Sequence, residues 1–87
     1  MDDNSLKAFI LNKLANLKCW GKKHTSIDNL PKGCPKNLYG KIKDLVRELV
    51  KDGFIHTKPT SYGVQVSLNI EKKAEIEEFI KEHYKRK

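Results

Sequence analysis

The sequence predicts a small α+β domain: a three-helix core, a β-hairpin and an additional C-terminal helix. Three observations predict it. Apolar residues recur at helical spacing within 5–18, 35–51 and 70–84. Between the second and third of these runs, Val64, Val66 and Leu68 alternate with Gln65 and Ser67, the period of a half-buried strand. The chain has 87 residues, which fits one small domain with one modest core and leaves no room for a buried active-site cavity with its own supporting shell.

The first helix carries Leu6, Phe9, Ile10, Leu14 and Leu17 on one face, with Asn4 or Ser5 as its N-cap. It fails near Cys19-Trp20-Gly21, where Gly21 suits a left-handed C-terminal position, which puts the element at 5–19. Lys22-Lys23-His24-Thr25 reads as one brief strand. Ser26 then caps a short helix over 26–31, limited by Pro31 and Lys32-Gly33. Pro35 suits the first position of the next helix, 35–52. Leu38, Ile42, Leu45, Val46, Leu49 and Val50 form its apolar stripe, and Gly53 ends it. Strands over 54–58 and 64–68 flank a loop of turn formers, Pro59-Thr60-Ser61-Tyr62-Gly63. Asn69 caps a last helix, 70–84, with Ile70, Ala74, Ile76, Phe79, Ile80 and Tyr84 as its inner face. Lys85-Arg86-Lys87 reads as a frayed tail. Trp20 reads as a core anchor.

Charge narrows the function. Charged residues make up 33% of the chain, and the net charge is +7. Residues 4–70 hold 12 Lys or Arg against 4 Asp or Glu, while residues 71–87 hold 6 against 5. The excess therefore sits before the last helix, and it points to a polyanionic partner. A helical wheel at about 100° per residue, centred on Leu38, puts Ile42, Leu45 and Leu49 on the inner side. The opposite pole collects Lys36, Gly40, Lys43, Arg47 and Lys51, with Asn37 and Lys41 flanking it near the helix start. Asp44 lies about 60° from that pole on the same wheel.

A short helix, a Gly-containing turn, a longer helix and then a hairpin make the chain resemble the winged helix-turn-helix DNA-binding family, as a small archaeal-like stand-alone domain. Ser26–Gly33, Pro35–Gly53 and Phe54–Leu68 carry the resemblance. The phrase Leu45-Val46-Arg47-Glu48-Leu49-Val50-Lys51-Asp52-Gly53-Phe54-Ile55 looks like a recognition helix running into its wing. The resemblance implies binding of double-stranded DNA, in the role of a transcriptional regulator. Lys36, Asn37, Gly40, Lys41, Lys43, Arg47 and Lys51 would form the helix face. Lys22, Lys23, His24 and Ser26 would give backbone support, and Lys58 and Tyr62 would place the wing on the backbone or in the minor groove. Tyr62 packing against the hairpin is the plainer alternative. The same frame also serves protein–protein and RNA contacts, so an interaction module is the second reading. A homodimer or protein partner through the outer helices stays open.

Other chemistries are poorly supported. No nucleophile–base pair, phosphate-cradling loop or metal-binding carboxylate pair is present, so no enzyme and no cofactor is expected. Cys19, His24, Cys34 and His56 have spacings of 5, 10 and 22 residues, unlike a structural zinc set. Cys19 and Cys34 read as two small buried or half-buried thiols, with a disulfide as the alternative. Glu71, Glu75, Glu78 and Glu82 make a solvated stripe, with Lys81 and Lys85 placed to pair along it, and His83 reads as a helix C-terminal charge. The acidic start is unlike a signal peptide, and no apolar run approaches the roughly 20 residues of a membrane span. The expectation is a cytoplasmic protein with no membrane partner.

Overall fold

The computed structural model describes residues 2–84, so the basic tail at 85–87 lies outside the described residues. Helix α1 spans Asp3–Asn16, strand β1 Thr25–Ser26, helix α2 Tyr39–Lys51, strands β2 Ile55–Thr60 and β3 Gly63–Leu68, and helix α3 Lys73–His83. Short 3-10 turns occupy Ile27–Asn29, Lys36–Leu38 and Ile70–Lys72. The architecture is α+β: three α-helices and a three-stranded antiparallel sheet of order β1-β3-β2, among the described residues.

Helix α1 begins upstream of the expected caps Asn4 and Ser5. The Asp2 carboxylate accepts the Ser5 backbone N–H at 2.7 Å, satisfying an N-terminal donor. Ser5 is buried inside the helix instead. Its end also differs. Lys18, three residues before Gly21, takes the left-handed position that closes the helix, with φ 58°. The Lys18 N–H donates to Ala15 O and the Cys19 N–H to Leu14 O, a Schellman closure. The helix therefore stops before Leu17, which is exposed. Gly21, also left-handed, turns the chain so that its N–H reaches Leu68 O.

Residues 22–24 stay outside the sheet. The expected brief strand is only Thr25–Ser26, paired with Val66 and Gln65 of β3. The expected helix at 26–31 is one 3-10 turn, with the Ser26 hydroxyl capping Asp28 N–H at 3.2 Å. Pro31 follows at once and cannot donate the N–H that would continue it. The next helix also starts later than expected. Pro35 precedes a 3-10 turn, and α-geometry begins at Tyr39. Its end agrees with the sequence. Gly53, at φ 83°, closes α2 as Gly53 N–H donates to Val50 O and Phe54 N–H to Leu49 O.

The hairpin is longer and its turn tighter than the sequence suggests. Pro59, Thr60 and Gly63 lie in strands, and Ser61-Tyr62 alone makes the turn. Thr60 Oγ1 accepts the Tyr62 N–H and donates to Gly63 O, taking the loop's polar groups into a small closed set. Pro59 is tolerated because β2 is an edge strand.

The core gathers Leu6, Ile10, Leu11 and Leu14 of α1 with Ile42, Leu45, Val46 and Leu49 of α2. Ile55, Val66 and Leu68 close it from the sheet, Leu30 and Ile76 from its ends. Trp20 and Phe9 are partly buried against it. The last helix buries less than expected. Of its forecast inner face, Ile76 is buried, Phe79, Ile80 and Tyr84 are half-buried, and Ala74 and Ile70 are exposed, Ile70 to 57%. The opening 3-10 turn advances about three residues per turn and breaks the phase, and Ala74 lies about 200° from Ile76.

Two stability outcomes follow. Lys18→Gly should raise stability by about 0.5–1 kcal/mol in thermal melts, because a left-handed residue with a side chain is strained. Asn69→Ala should lower it by about 1–2 kcal/mol, because that side chain caps Glu71 N–H and donates to Gly53 O.

Candidate functional site

The outward side of α2 is where the forecast site residues converge best. Lys43 and Arg47 sit one turn apart and exposed, with Gly40 and Lys51 on the same side before and after them. A Cβ at Gly40 would meet nothing within 4 Å, so packing within the chain does not require a glycine there. Lys36 and Asn37 are exposed on the 3-10 turn ahead of the helix.

Several of these cations have carboxylate partners, one of them Asp44, which the wheel placed beside the pole, and others from outside the helix. Lys43 Nζ lies 3.5 Å from Asp28 Oδ1, and Arg47 Nη1 lies 3.5 Å from Asp44 Oδ1. Lys41 pairs with Asp3 at 3.1 Å, and Lys7 of α1 pairs with Glu48 of α2 at 3.2 Å. Lys41 thus belongs to the seam between α1 and α2 rather than to the free face. Among the described residues, Lys22, Lys23, Lys36, Lys51 and Lys58 make no ion pair. The Arg47–Asp44 pair was legible as an i,i+3 spacing. The Lys43–Asp28 pair needed the turn that folds residues 27–29 onto α2.

Strand register decides where the supporting residues go. Ile55, Thr57 and Pro59 oppose Leu68, Val66 and Val64 on the face turned toward α2. Lys58 opposes Gln65, which also pairs with Ser26, so these three lie across the outer face of the sheet. Lys58 and Ser26 are therefore turned away from the helix, and the Ser26 hydroxyl is already used as a cap. Lys22 and Lys23 are exposed and His24 is half-buried, in the connection just after Trp20. Trp20 bridges to Leu68 at the base of the hairpin, with Lys73 Nζ 5.7 Å from its ring centroid. Tyr62 is 96% exposed at the opposite end, which removes the alternative that it packs on the hairpin. The forecast residues thus occupy a helix face, a sheet face, a base and a tip.

Sequence reasoning missed a groove beside the helix. Ile27, Lys43, Val46, Arg47, Val50, Thr57 and Val64 line a cleft of about 410 Å³ between α2 and the hairpin. The expected strand over 64–68 already included Val64; what the sequence did not show is that the register turns Val64 and Thr57 toward α2, across from Lys43 and Arg47. A second, shallower hollow on α3 is lined by Ala74, Glu75, Glu78, Phe79 and Glu82. The acidic stripe there is solvated as expected, and its described close pairs are Lys72–Glu75 at 3.7 Å and the His83 ring with Glu82 at 3.9 Å. Lys81 makes no ion pair among the described residues, and Lys85 lies outside them. His83 sits in the last turn of α3, its ring 4.5 Å from that of Phe79.

Both cysteines are free thiols, Cys19 buried and Cys34 half-buried. Burial pushes the Cys19 thiol above its ordinary value, and the Lys23 charge partly opposes that shift. No group of three or more His, Cys, Asp or Glu is arranged to hold a metal, among the described residues. No described helix is long and apolar enough to cross a membrane. None of the protein-family models, curated proteins or solved structures compared with the chain matches it.

The thiols give a direct check on this arrangement. Iodoacetamide at neutral pH should label Cys34 first, and mass mapping should find Cys19 labelled only after unfolding or at clearly alkaline pH. The sign follows from the raised value: the Cys19 thiolate needed for attack forms only as pH rises past the ordinary thiol range. Equal labelling of both at neutral pH would contradict its burial.

Proposed function

We propose that this chain is a winged-helix-like domain that binds double-stranded nucleic acid, with DNA as the favoured partner and transcriptional regulation as its role. The observation that carries the reading is the outward side of α2, where Lys43, Arg47 and Lys51 stand exposed on a helix whose other side is fully buried. The connectivity supports it. A helix, a small strand, a short turn, a longer helix and a hairpin follow in winged-helix order, and β1 joins the hairpin as a third strand. In that frame α2 is the reading helix and the β2–β3 hairpin is the wing.

Phosphate is the main ligand of such a face. Long ion pairs between exposed groups contribute about 0–1 kcal/mol, so phosphates can replace Asp28 and Asp44 at little cost. Asn37, ahead of the helix, and Tyr62, at the hairpin tip, are the non-cationic groups available for base or minor-groove contact. An interaction module for another protein is the second reading. Ile70 and Ala74, exposed on the outer side of the last helical segment, favour it.

Titration of a labelled duplex at two salt concentrations tests the first reading. Affinity should fall steeply with salt, and Lys43→Ala with Arg47→Ala should weaken binding and flatten the salt slope by about 2. The melting temperature should change little, because both side chains are exposed. Unchanged duplex binding in that double variant would remove the basis of the proposal.

A further inference from the structure

The cleft between α2 and the hairpin combines an aliphatic floor with a cationic rim. Its floor is aliphatic: Val46 is buried, Val50 and Ile27 are half-buried, and Val64 is 39% exposed where the hairpin overhangs. Its rim holds two cations on successive turns of α2, Lys43 and Arg47. The volume, about 410 Å³, lies in the range of small-molecule sites. Thr57 adds a polar side chain to the wall.

An apolar floor beneath a cationic rim is complementary to a molecule with a hydrophobic body and one anionic head. We propose that the cleft binds small hydrophobic monocarboxylates, with the alkyl or aryl body on Val46, Val50, Val64 and Ile27 and the carboxylate on Arg47 and Lys43. Arg47 can grip both carboxylate oxygens through its planar fork, while Lys43 supplies a point charge. The head must take these cations from Asp44 and Asp28. Both pairs stand at 3.5 Å between exposed groups, so the exchange trades one weak ion pair for another. The net gain comes from the body, whose burial covers valine surface now open to water.

A consequence links this site to the nucleic-acid face. Lys43 and Arg47 belong to both, so a carboxylate in the cleft and a phosphate on the helix compete for the same two cations. This regulatory half rests on the proposed function; binding of the carboxylate itself does not.

Octanoate and its neutral twin octanol separate the outcomes, read by NMR of valine methyl groups in the full chain. Octanoate should give saturable shifts at Val46, Val50 and Val64, with octanol about tenfold weaker. The Lys43→Ala, Arg47→Ala variant should bind octanoate no better than octanol. Val64→Ser, on an exposed position, should weaken both ligands alike. Absent or unsaturable shifts with octanoate, or equal affinity for octanol in the wild-type chain, would overturn the site. Displacement of a labelled duplex by octanoate, and not by octanol, is expected in parallel. A bound duplex indifferent to saturating octanoate would overturn the competition. A chain that takes octanoate and no duplex would instead sink the nucleic-acid reading.

Discussion

The backbone of Leu68 and Asn69 holds the rest of the domain in register. Leu68 N–H donates to Cys19 O at 2.7 Å, and Leu68 O accepts from Gly21 N–H. One residue on, Asn69 N–H donates to Phe54 O, and its side chain donates to Gly53 O while capping the next turn. Two adjacent residues thus tie the exit of α1, the exit of α2, the base of the hairpin and the entry to α3. Each of these ends carries otherwise orphaned polar groups. Local capping alone would satisfy some of them. Meeting at one place, they tie the base of the hairpin to the end of α2, the two elements that line the cleft beside Lys43 and Arg47.

What was readable in the sequence tracks how locally each feature is determined. The stripe of α2 was plain because Ile42, Leu45, Val46 and Leu49 are all core residues, and its end was plain because Gly53 does what glycine does at a helix terminus. The end of α1 was misplaced because a lysine took the left-handed position, a strain the sequence does not advertise. The inner face of the last helix was misjudged because a 3-10 turn changed its phase. Short elements fared worst. The three residues Ile27–Asn29 form a turn rather than a helix, since Pro31 and the pull of β3 on Thr25–Ser26 leave no length for more.

The site was legible in part for the same reason. A helical wheel identifies which residues point outward, and Lys43, Arg47 and Lys51 do. It does not see across elements. Asp28 reaches Lys43 from another segment, and Asp3 holds Lys41 against α1. Nor does a sum of charge distinguish the faces of a sheet. Lys58 contributes to the same basic total as Lys43, yet the register sets it, beside Gln65 and Ser26, on the far side of the hairpin. Net charge measures attraction to a polyanion; only topology divides that attraction among surfaces.

That division bears on how one small surface is used. On the helix, cations sit beside carboxylates, so the face is closer to neutral than the chain's charge of +7 implies. Long-range attraction to a polyanion would then fall to lysines without an ion pair among the described residues, among them Lys36 and Lys51 at the two ends of the helix and Lys22, Lys23 and Lys58 on other surfaces. On the proposed function, such an arrangement would separate capture from docking. Diffuse charge at the periphery would draw the anion in. At the centre, Lys43 and Arg47 would exchange one acidic partner for another, and the exchange would be selective only if the incoming group also covered the valines beside them. On the proposed reading, the aliphatic floor is what would make a near-neutral helix face discriminating, because it would reward an anion by the shape and polarity of what the charge is attached to.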